Sequence, residues 1–273
     1  VPIFAVLDRD DPRIEPYRAV RERDLVGRGR AFMAEGEVVL RTLIERSPFA
    51  IDSVLLADNQ AERLGPWIAA TRPDLPIYRA SRAVMEAIAG FPIHRGILAV
   101  GRRGPQPDTP ALLAGLGDPA LVLGLVGLAN HDNVGGIFRN AAAFGVGAVL
   151  LDETSCDPLY RKAIRVSVGA SLTVPFARAG DAAAMLEALG AAGFDIVALS
   201  PGGQQSLSDL AWSPRTALLL GTEGEGLPAA VMTRVRTASI AMAAGFDSLN
   251  VATTSGIALY EARLGIARSH QRP

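Results

Sequence analysis

The sequence predicts an α/β protein in two parts. A smaller N-terminal α/β domain precedes a larger domain built on a mostly parallel sheet with helices on both faces. Three observations predict this. Short apolar runs alternate with segments of helical periodicity along the chain, as strand–helix units do. Leu121 to Val126 is continuously apolar, which suits a strand covered on both faces. Between the two series, Arg102 to Pro119 carries Gly104, Pro105, Pro107, Pro110, Gly115, Gly117 and Pro119, which break regular structure. The boundaries read from this pattern are residues 1–102, a linker at 103–118, and residues 119–273. A length of 273 residues fits two domains, and 49% hydrophobic with 20% charged residues excludes a disordered chain.

From Val1 to Arg30 arginines alternate with acidic residues, broken by Pro2, Pro12 and Pro16. This charged arm is either a solvated, self-paired face or a contact for phosphates. Glu35 to Glu45 reads as an amphipathic helix, with Val38, Val39, Thr42 and Leu43 at helical spacing. Ile51 to Ala57 is a buried strand, Asn59 to Thr71 a polar helix, and Ile77 and Tyr78 a short strand. Ser81 caps a helix that stops near Gly90, and Gly96 to Val100 is the next strand. A short helix fits Ala111 to Ala114. In the second domain, strands are expected at Leu121–Val126, Gly147–Leu151, Asp195–Leu199, Thr216–Leu220 and Ser239–Met242. Helices are expected at Val134–Phe144, Leu159–Val168, Asp181–Ala192 and Leu249–Arg268.

Composition removes several functions. A single cysteine, Cys156, excludes an internal disulfide and favours a reducing compartment, the cytoplasm. His94, His131 and His270 lie far apart and with Cys156 match no metal-ligand spacing, so no metal is expected. The longest nearly pure apolar stretch, Ala120 to Ala129, is too short to span a bilayer, and the first residues do not resemble a secretory signal. The net charge of -1 is neutral evidence on nucleic acid. Of the 27 basic residues all but Lys162 are arginine, which fits codon bias in a GC-rich genome; arginine forks also suit phosphate recognition, but composition alone does not establish it.

Three strand ends carry unusual residues, and in parallel sheets ligands bind at the carboxyl ends of strands. The first runs from Leu128 to Asn140 and holds Asn133, Gly135, Gly136 and Arg139. Asn133 is placed to cap the helix. The second is Gly221-Thr222-Glu223-Gly224-Glu225-Gly226. Its glycines let a loop wrap a ligand, and its carboxylates with no lysine suit a cationic or neutral ligand better than a phosphate. The third is Ser248-Leu249-Asn250-Val251 at the start of the last helix, where Ser248 is the expected cap.

In this order on a C-terminal α/β domain, the three resemble the SpoU-type branch of the SPOUT superfamily, the RNA ribose 2′-O-methyltransferases. The family patterns Asn-x-Gly-x-x-x-Arg, Gly-x-Glu-x-x-Gly and Ser-Leu-Asn-Val stand at Asn133 to Arg139, Gly221 to Gly226 and Ser248 to Val251. The resemblance covers about Ala120 to Arg268. The N-terminal part is weakly similar to the ribosomal-protein-like RNA-binding domain that often precedes this catalytic domain, with His94-Arg95-Gly96 near its end. Ala241 departs from the proline usual before the methionine, which loosens a turn and removes no reactive group.

The resemblance implies S-adenosylmethionine as methyl donor, a structured rRNA or tRNA as substrate, a C-terminal trefoil knot and a homodimer with its sites at the interface. It places the cofactor around Leu199, Gly221, Ile240, Met242 and Leu249. Arg139 becomes the catalytic candidate. An arginine is almost always protonated, so it reads first as a cation stabilising the developing alkoxide; general-base action needs a strong perturbation. Asn133 and Glu223 would orient Arg139 and the cofactor, and Ser248 and Asn250 would hold the ribose or the cofactor loop. Arg161, Lys162 and Arg165 form a basic cluster for RNA phosphate, with Arg165 preferred. Two other classes remain: a non-catalytic RNA-binding or assembly factor on the same fold, and a nucleotide-binding enzyme on an ordinary doubly wound sheet.

Overall fold

The computed structural model describes residues 3–18, 30–89, 95–222, 224–245 and 248–270. The chain divides into two compact units, Val1–Pro105 with Leu159–Thr173, and Gln106–Pro158 with Val174–Pro273.

The first unit holds a five-stranded sheet of β1 (Ile3–Val6), β2 (Ala31–Glu35), β3 (Ala50–Ala57), β4 (Ile77–Ala80) and β5 (Ile97–Arg102), in the order β1-β4-β3-β5-β2. β1, β4 and β3 run parallel, and β5 is antiparallel to both β3 and β2. Its helices are α1 (Glu37–Glu45), α2 (Asp58–Thr71) and α3 (Arg82–Ala89). α1 turns Val39, Leu40, Leu43 and Ile44 inward, whereas Val38, expected on that face, is 53% exposed. The apolar stripe is therefore rotated from the expected one, and Leu40 and Ile44 complete it. β1 and β2 escape sequence reading. β1 is an edge strand with three exposed residues, so no apolar alternation marks it. In the described part of the arm, Arg9, Arg13 and Arg18 pair with Asp10 and Asp11, the self-paired face. Arg21, Arg23 and Arg28 lie outside the described residues.

The second unit holds a seven-stranded sheet of β6 (Ala120–Leu125), β7 (Ala148–Leu151), β8 (Phe176–Arg178), β9 (Asp195–Leu199), β10 (Gln205–Ser206), β11 (Arg215–Leu220) and β12 (Arg236–Ser239). The order is β10-β12-β9-β11-β6-β7-β8 and every pairing is parallel. The chain builds outward through β6, β7 and β8, then crosses back, and β11 inserts between β6 and β9. β6 is buried throughout, as its apolar run requires. The helices are α4 (Thr109–Ala114), α5 (His131–Phe144), α7 (Ala182–Ala191), α8 (Ala229–Met232) and α9 (Val251–His270); α6 (Arg161–Val166) falls between α5 and α7 but belongs to the first unit.

Several boundaries move. Residues 106–118 are built into the second unit: Asp108 caps α4, which sends Leu113 into the core, and Arg215 donates to the carbonyls of Leu113 and Leu116. β12 ends at Ser239, so Ile240 and Met242 stand in the following loop instead of a strand. α5 starts at His131, capped by Asn130 and not by Asn133. α9 starts at Val251, capped by Asn250 and not by Ser248; Asn250 Oδ1 accepts from the Ala252 amide at 2.9 Å and the Thr253 amide at 3.3 Å. Among the described residues no helix is long and apolar enough to cross a membrane.

Candidate functional site

Because the second sheet is entirely parallel, the loops after β6, β9, β11 and β12 all leave from the same edge. A cavity of about 430 Å³ opens among the loops after β9, β11 and β12 and the start of α9. Leu199, Gly221, Ile240, Met242 and Leu249, the five residues expected around a cofactor, all line it, together with Ser200, Pro201, Thr222, Gly224, Gly226, Ser248 and Asn250. No charged side chain among the described residues lines the cavity. Gly221 is required by close approach: a Cβ there would sit 2.5 Å from the Gly226 carbonyl carbon and the Leu227 nitrogen. The loop closes on itself through the Gly226 amide, which donates to the Thr222 carbonyl at 3.1 Å. Glu223 lies outside the described residues.

The first and third motifs meet at the rim. Asn133 is buried in the first turn of α5, and its Oδ1 accepts from Asn250 Nδ2 at 2.9 Å. Asn250 thus caps α9, lines the cavity and holds α5 at once. Behind it, Asn140 Nδ2 donates to the Ala252 carbonyl at 2.7 Å and to Ser255 Oγ at 2.9 Å. Gly136 faces Ala252, whose Cβ lies 2.8 Å from where a glycine substitution would place its own. The two helices touch because these positions are small. Ser248 is exposed at the rim.

Arg139 is not brought to this cavity. It lies six residues beyond Asn133, about 9 Å further along the axis, and its side chain is exposed. It makes no ion pair with another described residue. The basic cluster also divides. Arg161 donates to Glu35 at 3.0 Å, and the Glu35 side chain is only 5% exposed, so this guanidinium neutralises a buried carboxylate of its own unit. Lys162 and Arg165 are exposed on α6. Among the described residues no cluster of His, Cys, Asp and Glu is arranged to hold a metal ion.

Sequence reading missed Asp152 and Ser155 in the loop after β7. Asp152 is buried and accepts from the Gly127 amide, the Ser155 amide and hydroxyl, and the Thr154 hydroxyl. Burial pushes its carboxyl up, but these hydrogen bonds outweigh burial and hold it below the ordinary carboxylate range. The signal was an Asp followed three residues later by Ser just after a strand, a pattern of side chains that bond nearby backbone. Cys156, next in the chain, has its thiol pushed up to about 11 by burial, with the Asp157 charge adding to it.

Residues 120–260 match the SpoU rRNA methylase family. The chain is 39% identical to an uncharacterised tRNA/rRNA methyltransferase of Mycobacterium bovis, over 94% of this chain and 90% of that one. It is 32% identical to the 23S rRNA (guanosine-2′-O-)-methyltransferase RlmB of Escherichia coli K12, over 84% of this chain and 97% of that one. Its fold resembles an AdoMet-bound rRNA methyltransferase from Sinorhizobium meliloti, with a TM-score of 0.80 and 23% identity over 99% of both chains. The family match and these relatives put the parallel-sheet domain in a family of RNA methyltransferases. The chain belongs to the SpoU rRNA methylase family.

Proposed function

We propose that this protein transfers a methyl group from S-adenosylmethionine to a ribose 2′-hydroxyl of rRNA or tRNA. The observation that carries the reading is a cavity lined by the second and third motif regions, with no charged side chain among the described residues, to which the first motif is joined by the Asn250–Asn133 hydrogen bond. The cavity fits the cofactor. Its volume lies in the range of small-molecule sites, and backbone from Gly221, Thr222 and Gly226 offers neutral donors and acceptors. A phosphate ligand would want a cation there, and none lines the wall among the described residues. The relatives carry the same direction in their names, one as a 2′-O-methyltransferase of 23S rRNA and one with AdoMet bound.

S-adenosylmethionine supplies an activated methyl on a sulfonium, whose departure leaves a neutral thioether. The chain's residues must then bind, align and stabilise charge. Asn133 and Asn250 fix the start of α5 against the cavity. Arg139 stabilises the negative charge growing on the 2′-oxygen and holds the neighbouring phosphate, while the hydroxyl proton leaves to water. Glu223 takes the role its motif implies, orienting Arg139 and the cofactor, and the loops after β9, β11 and β12 form the trefoil knot of the family.

A homodimer completes the site in this reading. α5 and α9 leave Ala142, Ala143, Ile257 and Tyr260 exposed, with the Phe144 and Tyr260 rings 6.2 Å apart. Arg139 shares the exposed side of α5 with Ala142 and Ala143, so pairing through this face carries it to a partner's cavity. Residues 1–102 and the exposed Lys162 and Arg165 supply RNA contacts, and the free Cys156 suits the cytoplasm. The test is a map of 2′-O-methyl sites in total RNA from cells with and without the gene. One site lost on deletion, and restored in vitro by the protein with S-adenosylmethionine, supports the reading. An unchanged map with no transfer in vitro overturns it, and favours the non-catalytic RNA-binding factor.

A further inference from the structure

We infer that Asp152 and Ser155 are positioning residues for methyl transfer, which hold the loop that launches α5 against the wall of the cavity. The inference rests on the function proposed above. The chain leaving β6 turns at Gly127 and runs through Leu128 to Asn130, the cap of α5. The Gly127 amide donates to Asp152 Oδ2 at 3.1 Å, and the Leu128 amide to Ser155 Oγ at 3.0 Å. The Cys156 amide returns to the Leu128 carbonyl at 2.8 Å.

Asp152 is 5% exposed and forms no ion pair among the described residues. Four donors converge on its two oxygens. Besides Gly127 these are the Ser155 amide at 2.8 Å, the Ser155 hydroxyl at 2.6 Å and the Thr154 hydroxyl at 2.6 Å. Arg178 braces the same turn by donating to the carbonyls of Asp152 and Ser155. A buried carboxylate without a cation is costly to keep, and apolar packing often stabilises as well. Holding the Gly127 amide directly, and the Leu128 amide through the Ser155 hydroxyl, is what this carboxylate does that an apolar side chain cannot.

The loop it holds touches the cavity wall. Gly127 has φ +72°, and the place a Cβ would take is filled by Thr222, whose Cγ2 would lie 2.4 Å from it. Thr222 lines the cavity. Six residues beyond Gly127, Asn133 meets Asn250. A shift of the loop therefore moves Asn133 and Arg139 relative to the cavity. β11 and the bonds between Thr222 and Gly226 keep the cavity itself in place.

Asp152→Asn, Ser155→Ala and Ser155→Thr test this. The asparagine amide group would present donors to a site made of donors, Ser155→Ala removes the relay, and Ser155→Thr keeps its hydroxyl. Single-turnover transfer to the substrate RNA at saturating S-adenosylmethionine should fall by about tenfold or more in Asp152→Asn and Ser155→Ala, since small misplacements cost this much. Ser155→Thr should recover most of the rate. S-adenosylhomocysteine affinity by calorimetry should stay within about threefold, well under the transition-state loss. Amide hydrogen exchange should quicken at Gly127 and Leu128 while Ala120–Leu125 stays protected. A wild-type transfer rate in folded Asp152→Asn overturns the inference. So does an equal loss of cofactor affinity, or a loss of protection across the whole unit, either of which marks a purely structural role. A wild-type protein that binds S-adenosylhomocysteine but methylates no RNA would sink the functional reading instead. In that case unchanged exchange at Gly127 and Leu128 in Asp152→Asn still overturns the positioning.

Discussion

The cavity is lined by backbone and by apolar and neutral polar side chains, and no charged side chain among the described residues reaches it. The exposed side of α5, in the same unit, carries the guanidinium of Arg139 next to small apolar residues. The first region is shaped by close backbone approach at Gly221 and the second by exposure. A site divided in this way separates holding a ligand from stabilising charge on a reacting oxygen. Each function should be separable from the other by mutation.

The largest effect tests the charged side. Arg139→Ala should lower single-turnover methyl transfer by about 100- to 1000-fold, the usual loss when a transition-state charge partner is removed. S-adenosylhomocysteine binding should stay nearly intact. Arg139→Lys keeps the charge but loses the planar fork, so it should recover little. An unchanged rate in Arg139→Ala ends the assignment.

Gly221→Ala tests the other side with the opposite pattern. A methyl forced against the Gly226 and Leu227 backbone should cost about 1–3 kcal/mol, as overpacking does, read as weakened cofactor affinity in calorimetry. Mixing this variant with Arg139→Ala sharpens the comparison. If Arg139 serves a partner's cavity, mixed dimers regain one complete site and measurable activity. No recovery after subunit exchange places Arg139 at its own chain's cavity.

Arg161→Ala contrasts with Arg165→Ala on α6. It leaves the buried Glu35 carboxylate unpaired, a loss of about 3–5 kcal/mol at full burial. The loss should be less here because Arg161 keeps 27% of its side chain exposed. Denaturant unfolding measures it. Arg165→Ala should change stability by under about 0.5 kcal/mol and instead weaken RNA binding, lowering the salt slope by about one. An equal stability loss at Arg161 and Arg165 would erase the distinction.

The smallest effect is a pH dependence. The Asp152 carboxyl is held below its ordinary value of 3.8 in the folded chain. Its contribution to stability is therefore complete above that value and is lost as pH falls through the lower, folded one. Asp152→Asn should be less stable than the parent at pH 7, and the gap should close as pH drops below about 4. A gap that persists unchanged in acid contradicts the bonding described for Asp152.

Where a segment's own residues carried the signal, the sequence was readable. β6 announced itself by an unbroken apolar run, and α7 by its alanine-rich body. The five cavity residues were reached through the resemblance, which fixed their place at strand ends without fixing a distance. The misses share a cause. β1 is an edge strand, so half-exposure blurred its pattern. Val38 matched helical spacing, but spacing does not say which neighbouring stripe the sheet covers. Ser248 and Asn250 are both good caps by residue type, and only the helix geometry chose Asn250.

Local chemistry alone determined the α/β class, the two series of elements and the three loops at strand ends. Those follow from apolar periodicity and from residues whose backbone preferences act within a few positions. Partnership across the chain was decided only by the fold. Asn133 meets Asn250 because α5 and α9 pack through Gly136 and Ala252, and Asp152 meets Gly127 because β6 and β7 are parallel neighbours. The segment Leu159–Thr173 belongs to the first unit, where Glu35, buried on β2, finds a cation in Arg161, 126 residues away. Such contacts rest on packing and on the cost of burying unpaired polar groups, and neither is written in the neighbouring residues.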